Sequence, residues 1–417
     1  MKVVVITRKV AFIEGRFRMH ASVMASVLVI STLMFIGMLG ILALWDSEYL
    51  LAARHFFREQ QRANLASAIV KYCRDTSFCI SFDQDTSLML FPGQVMSEVG
   101  FCRKRWGLYE MLVLTAGDEK KCCLMGKIDE SFSRAALYLP EHRHPLSIAG
   151  KSRIEGDVYV GCQGVAYTQV GADFFDGTPI NPADICRSEE KLPLPENEIT
   201  AYVGELFQRA SGEWQEVESF GQVTFAGPVA YRKVGQELGA VRLSGPYLLC
   251  SADSLYIRGD CRLRGVIIVA GKVCIGTGFK GAVQVFAHDA ICLEEQVVLQ
   301  AGSGLWVNGD AHRSSIRLGK NCRVDGYVVV AGNSESPEFP CAQYYQPASA
   351  EVRGLVYVDG IADVRGVVTG SLYAEALYHF ASDGYYADLF YDLTVCRSAD
   401  VVYPFLLKGP EERRMVK

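Results

Sequence analysis

Six short stretches of the chain share one pattern: an apolar residue, one intervening residue, a glycine, then an apolar run rich in β-branched side chains. They are RIEGDVYV around Gly156, RLRGVIIV around Gly265, FKGAVQVF around Gly281, RVDGYVVV around Gly326, EVRGLVYV around Gly354 and DVRGVVTG around Gly366. A strand-and-turn unit recurring this way cannot bury its apolar face alone. Stacking copies so that their side chains form internal ladders is the economical solution. The pattern therefore predicts a mainly β chain built around a parallel β-helix, or solenoid, over residues 146–370.

Glycine suits a corner between coils because a tight turn often requires positive φ, which glycine adopts at little cost. Asn308-Gly309, Asp325-Gly326 and Asp359-Gly360 carry the same turn chemistry. The spacing from Gly265 to Gly281 suits one coil, whereas that from Gly354 to Gly366 is shorter and the others are irregular. The longest interruption, residues 164–245, holds the polar stretch EKLPLPENE. There follow Ile199, Tyr202, Val203, Leu206 and Phe207 at the spacing of one helical face, which predicts an amphipathic helix packed on the solenoid. Residues 371–417 include Tyr373, Tyr378, Phe380, Tyr385, Tyr386, Phe390, Tyr391, Tyr403 and Phe405. They are expected to form an aromatic cap over an open strand edge, with a glycan-stacking platform as the alternative.

Ahead of the repeats, Ala21 to Leu44 form one uncharged apolar run. A helix of about 20 residues crosses the hydrocarbon core, so this run is expected to span a membrane. Lys2, Arg8, Lys9, Arg16 and Arg18 precede it and Asp46 and Glu48 follow it, which places residues 1–20 in the cytoplasm and the bulk of the chain outside. A cleaved signal peptide has a shorter apolar region, and no A-x-A site follows Leu44. A buried soluble helix is the remaining reading, and translation from Met19 would remove the basic flank. Residues 45–72 lack Pro and Gly and continue the helix as a stalk. Short β-rich runs between residues 73 and 130 predict a small β-domain covering the stalk's apolar side.

Composition narrows the function classes. With 42 basic against 47 acidic residues and a net charge of −5, the chain has no basic field to hold a phosphate backbone, so nucleic acid is not expected as a partner. Fourteen cysteines are scattered singly apart from Cys122-Cys123 and form no C-x-x-C pair. Cys250, Cys274 and Cys292 sit in apolar strand text and read as small buried hydrophobes, with disulfides or metal ligation as the alternatives.

Two resemblances follow from these features. Residues 1–130, with an apolar anchor, a helix running out of it and a small sheet against that helix, resemble the layout of type IV pilins and pseudopilins. Those families carry a glycine before the apolar segment and a glutamate just inside it; here Gly15 is followed by Arg16, Phe17, Arg18 and Met19, and the run holds no acid. The rungs of residues 146–370, SIAGKSRIEGDVYVG above all, resemble those of bactofilins, polymer-forming β-helical cytoskeletal proteins. That resemblance implies self-association.

Chemical motifs are sparse. His142 and His144, with Glu141, are the nearest candidate metal ligands, but their Pro-flanked text reads as a solvated linker. Cys-Arg-Lys-Arg at 102–105 reads as a solvated turn rather than an anion site. GTGFKG at 276–281 lacks the following Lys-Ser/Thr and helix of a phosphate loop. Asp253, Asp260, Asp289, Glu294, Glu295, Asp310 and Asp325 are candidates for a paired-carboxylate hydrolase site, which requires a separation of about 5–10 Å.

No catalytic, cofactor or metal residue is assigned, and no cofactor is expected. The chain is expected to be a noncatalytic, single-pass scaffold in a bacterial inner membrane, with its β-helix periplasmic. Its expected partners are the bilayer through Ala21 to Leu44, further copies of itself and other envelope proteins. The alternatives are a minor pilin-like component of a filament or secretion machine, and a tethered glycan-active enzyme.

Overall fold

A computed structural model describes residues 3–75, 78, 80–93, 96–128, 135–212, 214–308, 314–331, 342–381, 384–408 and 412–416, with side chains from Val23 onward. It is mainly β, with 49% strand and 19% helix, and divides into two units, Met1–Asn64 and Leu65–Lys417. Arg8, Lys9, Arg16 and Arg18 are described by backbone only, and Lys2, Gly309 and Asp310 lie outside the described residues.

The first unit is helical. Helix α1 begins at Val3 and runs to Arg74, without a break at the end of the apolar run. Every side chain from Val23 to Leu50 is exposed, including Leu33, Phe35, Ile41 and Trp45. This stretch is long and apolar enough to cross a membrane. Helix geometry satisfies its backbone internally, which is what a hydrocarbon environment demands.

In the second unit, Leu65, Ala68 and Tyr72 at the end of α1 are buried with Phe101, Leu112, Leu114 and Met125 of an antiparallel sheet. Its strands are β1 (Asp85–Met89), β2 (Glu98–Trp106), β3 (Tyr109–Ala116) and β4 (Glu119–Lys127), paired in chain order. Tight turns close the β2–β3 and β3–β4 hairpins, at Gly107-Leu108 and Gly117-Asp118. A fifth strand, Arg413–Met415, pairs with β4 from the far end of the chain. The sequence carries no signal for that pairing, because so short a strand has no periodicity to read.

Most of the remaining strands form a closed, mainly parallel network, while Gln169–Val170 with Asp173–Phe174, and Leu389–Tyr391 with Leu146–Ala149 and Val165–Tyr167, form two separate small sheets. Along one path, Ala230–Lys233 pairs with Tyr247–Cys250, then follow Arg262–Ile275, Lys280–Leu293, Val298–Asn308, Arg323–Ala331, Glu351–Val364 and Gly366–Ala381. The next partners come from earlier in the chain: β5 (Ala135–Tyr138), Asp157–Val160 and Ile185–Arg187. Ladder order therefore differs from chain order. The expected insertion at 164–245 is better described as a return connection, carrying the chain from Ile185–Arg187 at one end of this path to Ala230–Lys233 at the other. Within it, Ile185–Arg187, Phe220–Gln222, Ala230–Lys233, Glu237–Leu238 and Arg242–Ser244 all join the parallel network.

Register explains the continuous apolar runs. Leu249, Ile268, Val285, Leu305, Val328, Val356, Leu372, Leu137 and Val158 follow one another as direct register partners, all essentially inaccessible to water. Side chains alternate faces along a strand, so their neighbours point the opposite way. Val269, Phe286, Trp306, Val329, Tyr357, Tyr373 and Tyr138 accordingly enter a second core, shared with Trp106, Tyr109 and helix α2 (Asn197–Ala210). Strands covered on both faces read as unbroken apolar text rather than alternation. α2 buries Ile199, Val203 and Leu206, with Tyr202 and Phe207 packed at the margin.

Three details of the repeat differ from the sequence expectation. Gly354 pairs with Gly370 rather than with Gly366, whose own partner is Leu393. The C-terminal aromatic segment is not an end cap. Leu393–Cys396 lies inside the network, between Gly366–Ala381 and Arg153–Glu155, while Leu389–Tyr391 pairs with Leu146–Ala149 in a separate small sheet. Tyr373 stacks on Tyr138 with centroids 5.4 Å apart, and Tyr138 on Tyr159 at 5.6 Å. Among the strand-text cysteines Cys250 is buried as expected, but Cys274 and Cys292 are only half-buried because they face outward.

Gly354 has φ +145°, and a Cβ there would lie 1.6 Å from the Gly326 carbonyl oxygen of the neighbouring strand. Neither backbone can give way without breaking ladder hydrogen bonds. Gly354→Ala is therefore expected to cost at least ~3 kcal/mol in urea unfolding followed by tryptophan fluorescence. Gly235→Ala, with open space around the added methyl, should leave the midpoint nearly unchanged.

Candidate functional site

A cavity of about 430 Å³ in the second unit lies between β2, α2 and the parallel strands. β2 supplies Lys104, Arg105 and Trp106 to its wall, α2 supplies Tyr202, Glu205 and Arg209, and the return connection supplies Phe225 and Tyr231. Trp106 meets Phe225 edge-on, with ring centroids 5.5 Å apart. The Arg105 guanidinium lies 4.3 Å from the Phe82 ring centroid and 5.9 Å from that of Tyr202, and it pairs with Glu198. Arg209 pairs with Glu205 at 3.1 Å. Burial pushes the Tyr202 hydroxyl up to about 12, so at neutral pH it is a neutral phenol.

One buried glutamine positions this wall. Gln284, 2% exposed, accepts from the Leu108 backbone N–H at 3.0 Å and donates to the Trp106 carbonyl at 2.9 Å. Tyr327 reaches its Oε1 from two strands away, donating at 2.7 Å. The residue between them in the ladder is Gly304, and a Cβ there would lie 2.0 Å from the Tyr327 ring. The missing side chain is what lets the phenol cross to Gln284. A glutamine inside VQVF is the only trace of this clamp in the sequence.

A second cavity of about 330 Å³ adjoins along β2 and is lined by Arg103, Arg105, Lys127, Arg413, Glu110 and Glu198, among others. Glu110, 3% exposed, pairs with Arg103, accepts from Tyr72 Oη at 3.2 Å and lies 3.6 Å from Arg413. Burial first, and the Glu110 charge second, raise Tyr72 well above the usual phenol range. The Cys102–Arg105 cluster, expected as a solvated turn, is thus part of a strand whose arginines are matched by Glu110 and Glu198. Its basic side chains were legible in the sequence; their acidic partners, one on the next strand and one on α2, were not.

The histidines and Glu141 do not form a ligand set. His142 Nδ1 lies 2.7 Å from Asp388 Oδ1, Glu141 accepts from the Cys162 backbone N–H at 2.8 and 3.0 Å, and His144 is exposed. Among the described residues no group of three or more His, Cys, Asp or Glu could hold a metal ion. In GTGFKG the backbone donors are already occupied. Thr277 N–H donates to Glu294 at 2.9 Å, Gly276 N–H to the Ile257 carbonyl and Gly278 N–H to that of Glu295.

The candidate carboxylates are also dispersed. Asp260 pairs with Arg258 at 2.9 Å, and Glu294 is held by Thr277 and Tyr256. Asp253, Asp289 and Glu295 are exposed, and Asp325 is half-buried beside its register partner Arg353. Burial raises the Asp325 carboxyl.

Comparison with known proteins finds no match: no family model, no curated protein and no solved structure. The chemistry of the site therefore rests on its residues. The cavity beside α2 is lined by aromatic side chains, and its two arginines are paired with glutamates.

Two of these contacts are testable by substitution. Gln284→Leu strands the Leu108 N–H and the Trp106 carbonyl in a buried setting and should cost about 2 kcal/mol, read as a lowered urea midpoint. His142 is raised above its ordinary value, first by its hydrogen bond to Asp388, with Glu375 adding a further charge. A raised folded value stabilises below the unfolded value of ~6.5, and that stability is lost as pH climbs through the folded one. His142→Gln should therefore cost about 1 kcal/mol at low pH and much less in alkali, read as urea midpoints on either side of the transition.

Proposed function

We propose that this chain is a noncatalytic, single-pass envelope scaffold whose parallel strands follow a β-helical path outside the cytoplasmic membrane. The observation that carries the reading is the file of aliphatic register partners from Leu249 to Val158. Strands Arg262–Ile275 and Lys280–Leu293 pair with Val266 opposite Val283, and Glu351–Val364 and Gly366–Ala381 pair with Val352 opposite Val368. Between these strands a step along the ladder advances the chain by the length of one coil. Gly326, Gly354 and Gly370, all at positive φ, stand in one file where such a path would turn. A rigid, doubly covered ladder suits a load-bearing or assembly role, and Arg103, Arg105 and Arg209 around its cavities are each paired with a glutamate.

Topology is part of the proposal. Residues 1–20 lie in the cytoplasm, residues 21–44 cross the bilayer, and the second unit lies in the periplasm of a Gram-negative cell. Partners are further copies of the chain or other envelope proteins. A second reading, a minor pilin-like component of a filament or secretion machine, is favoured by one observation: an unbroken N-terminal helix whose end is buried against an antiparallel sheet.

Protease accessibility tests the placement. The second unit should survive protease in intact cells and be digested once the outer membrane is opened in spheroplasts. Digestion only after spheroplast lysis would overturn the reading. The full chain should remain in the pellet after carbonate extraction, and in detergent-free vesicles electron microscopy separates filaments from isolated particles.

A further inference from the structure

Cys274 and Cys292 occupy neighbouring strands, Arg262–Ile275 and Lys280–Leu293, as direct register partners. Among the described residues no other two cysteines pair across a ladder. Neighbouring strands lie about 4.8 Å apart, inside the range of Cα separations, roughly 4.4–6.8 Å, that a disulfide bridges. Both side chains are half-buried and stand in one file between exposed Tyr256 and exposed Arg317. The pairing sets the two thiols side by side on the same face of the sheet.

We propose that Cys274 and Cys292 form an oxidisable dithiol on the outer face of the parallel ladder, a reaction site for disulfide-bearing oxidants. The surroundings assign the roles. Arg317 stands directly across from Cys292 in the ladder and the Cys274 thiol beside it lowers Cys292 and is itself raised, so the pair gives up its first proton at Cys292. Lys272 and Arg317 favour the resulting charge, while burial and Glu294 oppose it. Glu294 is itself engaged by Thr277 N–H and Oγ1 and by Tyr256 Oη. A thiolate that is partly exposed and beside a second thiol meets the requirements for exchange.

The reaction balances without further components. The Cys292 thiolate attacks one sulfur of R–S–S–R and releases R–S⁻, leaving a mixed disulfide. Cys274 then gives up its proton and attacks the Cys292 sulfur, releasing the second R–S⁻. Two electrons pass to the oxidant, the Cys292 proton having left when the thiolate formed and the Cys274 proton leaving with the second R–S⁻ as R–SH, and the new bond ties adjacent strands together. Cys162, exposed and with no cysteine opposite it among the described residues, is expected to form a mixed adduct.

The test treats the full chain in detergent with oxidised glutathione and maps thiols by peptide mass, with and without reductant. The expected result is a Cys274–Cys292 disulfide with no lasting glutathione on either residue, while Cys162 carries an adduct. Cys274→Ser should trap glutathione on Cys292, and Cys292→Ser should slow modification at position 274 at least tenfold. The proposal is overturned if both thiols remain alkylatable once Cys162 has reacted, or if either bridges to another cysteine. Circular dichroism of each variant and the wild-type mapping keep the outcome independent of any folding defect.

Discussion

The structure of the second unit depends on one constraint, that strands pair in parallel with strictly matched register. A slip of one residue would turn Ile268, Val285, Leu305, Val328 and Val356 out of the inner core and bring Ile267, Gln284, Gly304, Tyr327 and Leu355 into it. Gln284 and Tyr327 would then be left without the hairpin and with no partner for their polar atoms. Each aliphatic side chain in the inner file contributes about 1.5–3 kcal/mol of burial, so register is held by the sum of many equal steps. The positive-φ glycines add a steric lock, because only Gly tolerates the neighbouring carbonyl at positions such as 354.

The second core shows how the remaining elements are recruited. The outward residues of the same strands are large and aromatic: Phe286, Trp306, Tyr327, Tyr357 and Tyr373. They need a cover, and α2 together with the β2–β3 hairpin supplies it. The cover is fixed by polar contacts at defined points, Gln284 to the hairpin and the Tyr357 hydroxyl to the Pro193 carbonyl at 3.1 Å. Arginines and glutamates close the margins in matched pairs. The return connection serves the same end, since a segment that must travel the length of the ladder passes over the face that needs covering.

The Cys274–Cys292 pair illustrates how face assignment decides chemistry. In apolar strand text a cysteine reads as a small core residue, and Cys250 is one. Shifting by one position along the pleat turns the thiol outward, beside Lys272, Glu294 and Arg317, where its ionisation is set by charges and a neighbouring thiol rather than by the core.

The local elements were readable because their signals are local. The uncharged run to Leu44, the helical spacing of Ile199 to Phe207 and the β-branched text of the repeats each express the physics of a single segment. The sequence alone thus determined a mainly β chain, an apolar N-terminal helix and an amphipathic helix within the long interruption. What only the tertiary structure decided is which segments meet: Ala135–Tyr138 beside Gly366–Ala381, Arg413–Met415 beside β4, Gly354 opposite Gly370, and Arg105 opposite Glu198. These partners are chosen by burial summed over the whole unit, so no single window of residues carries the information.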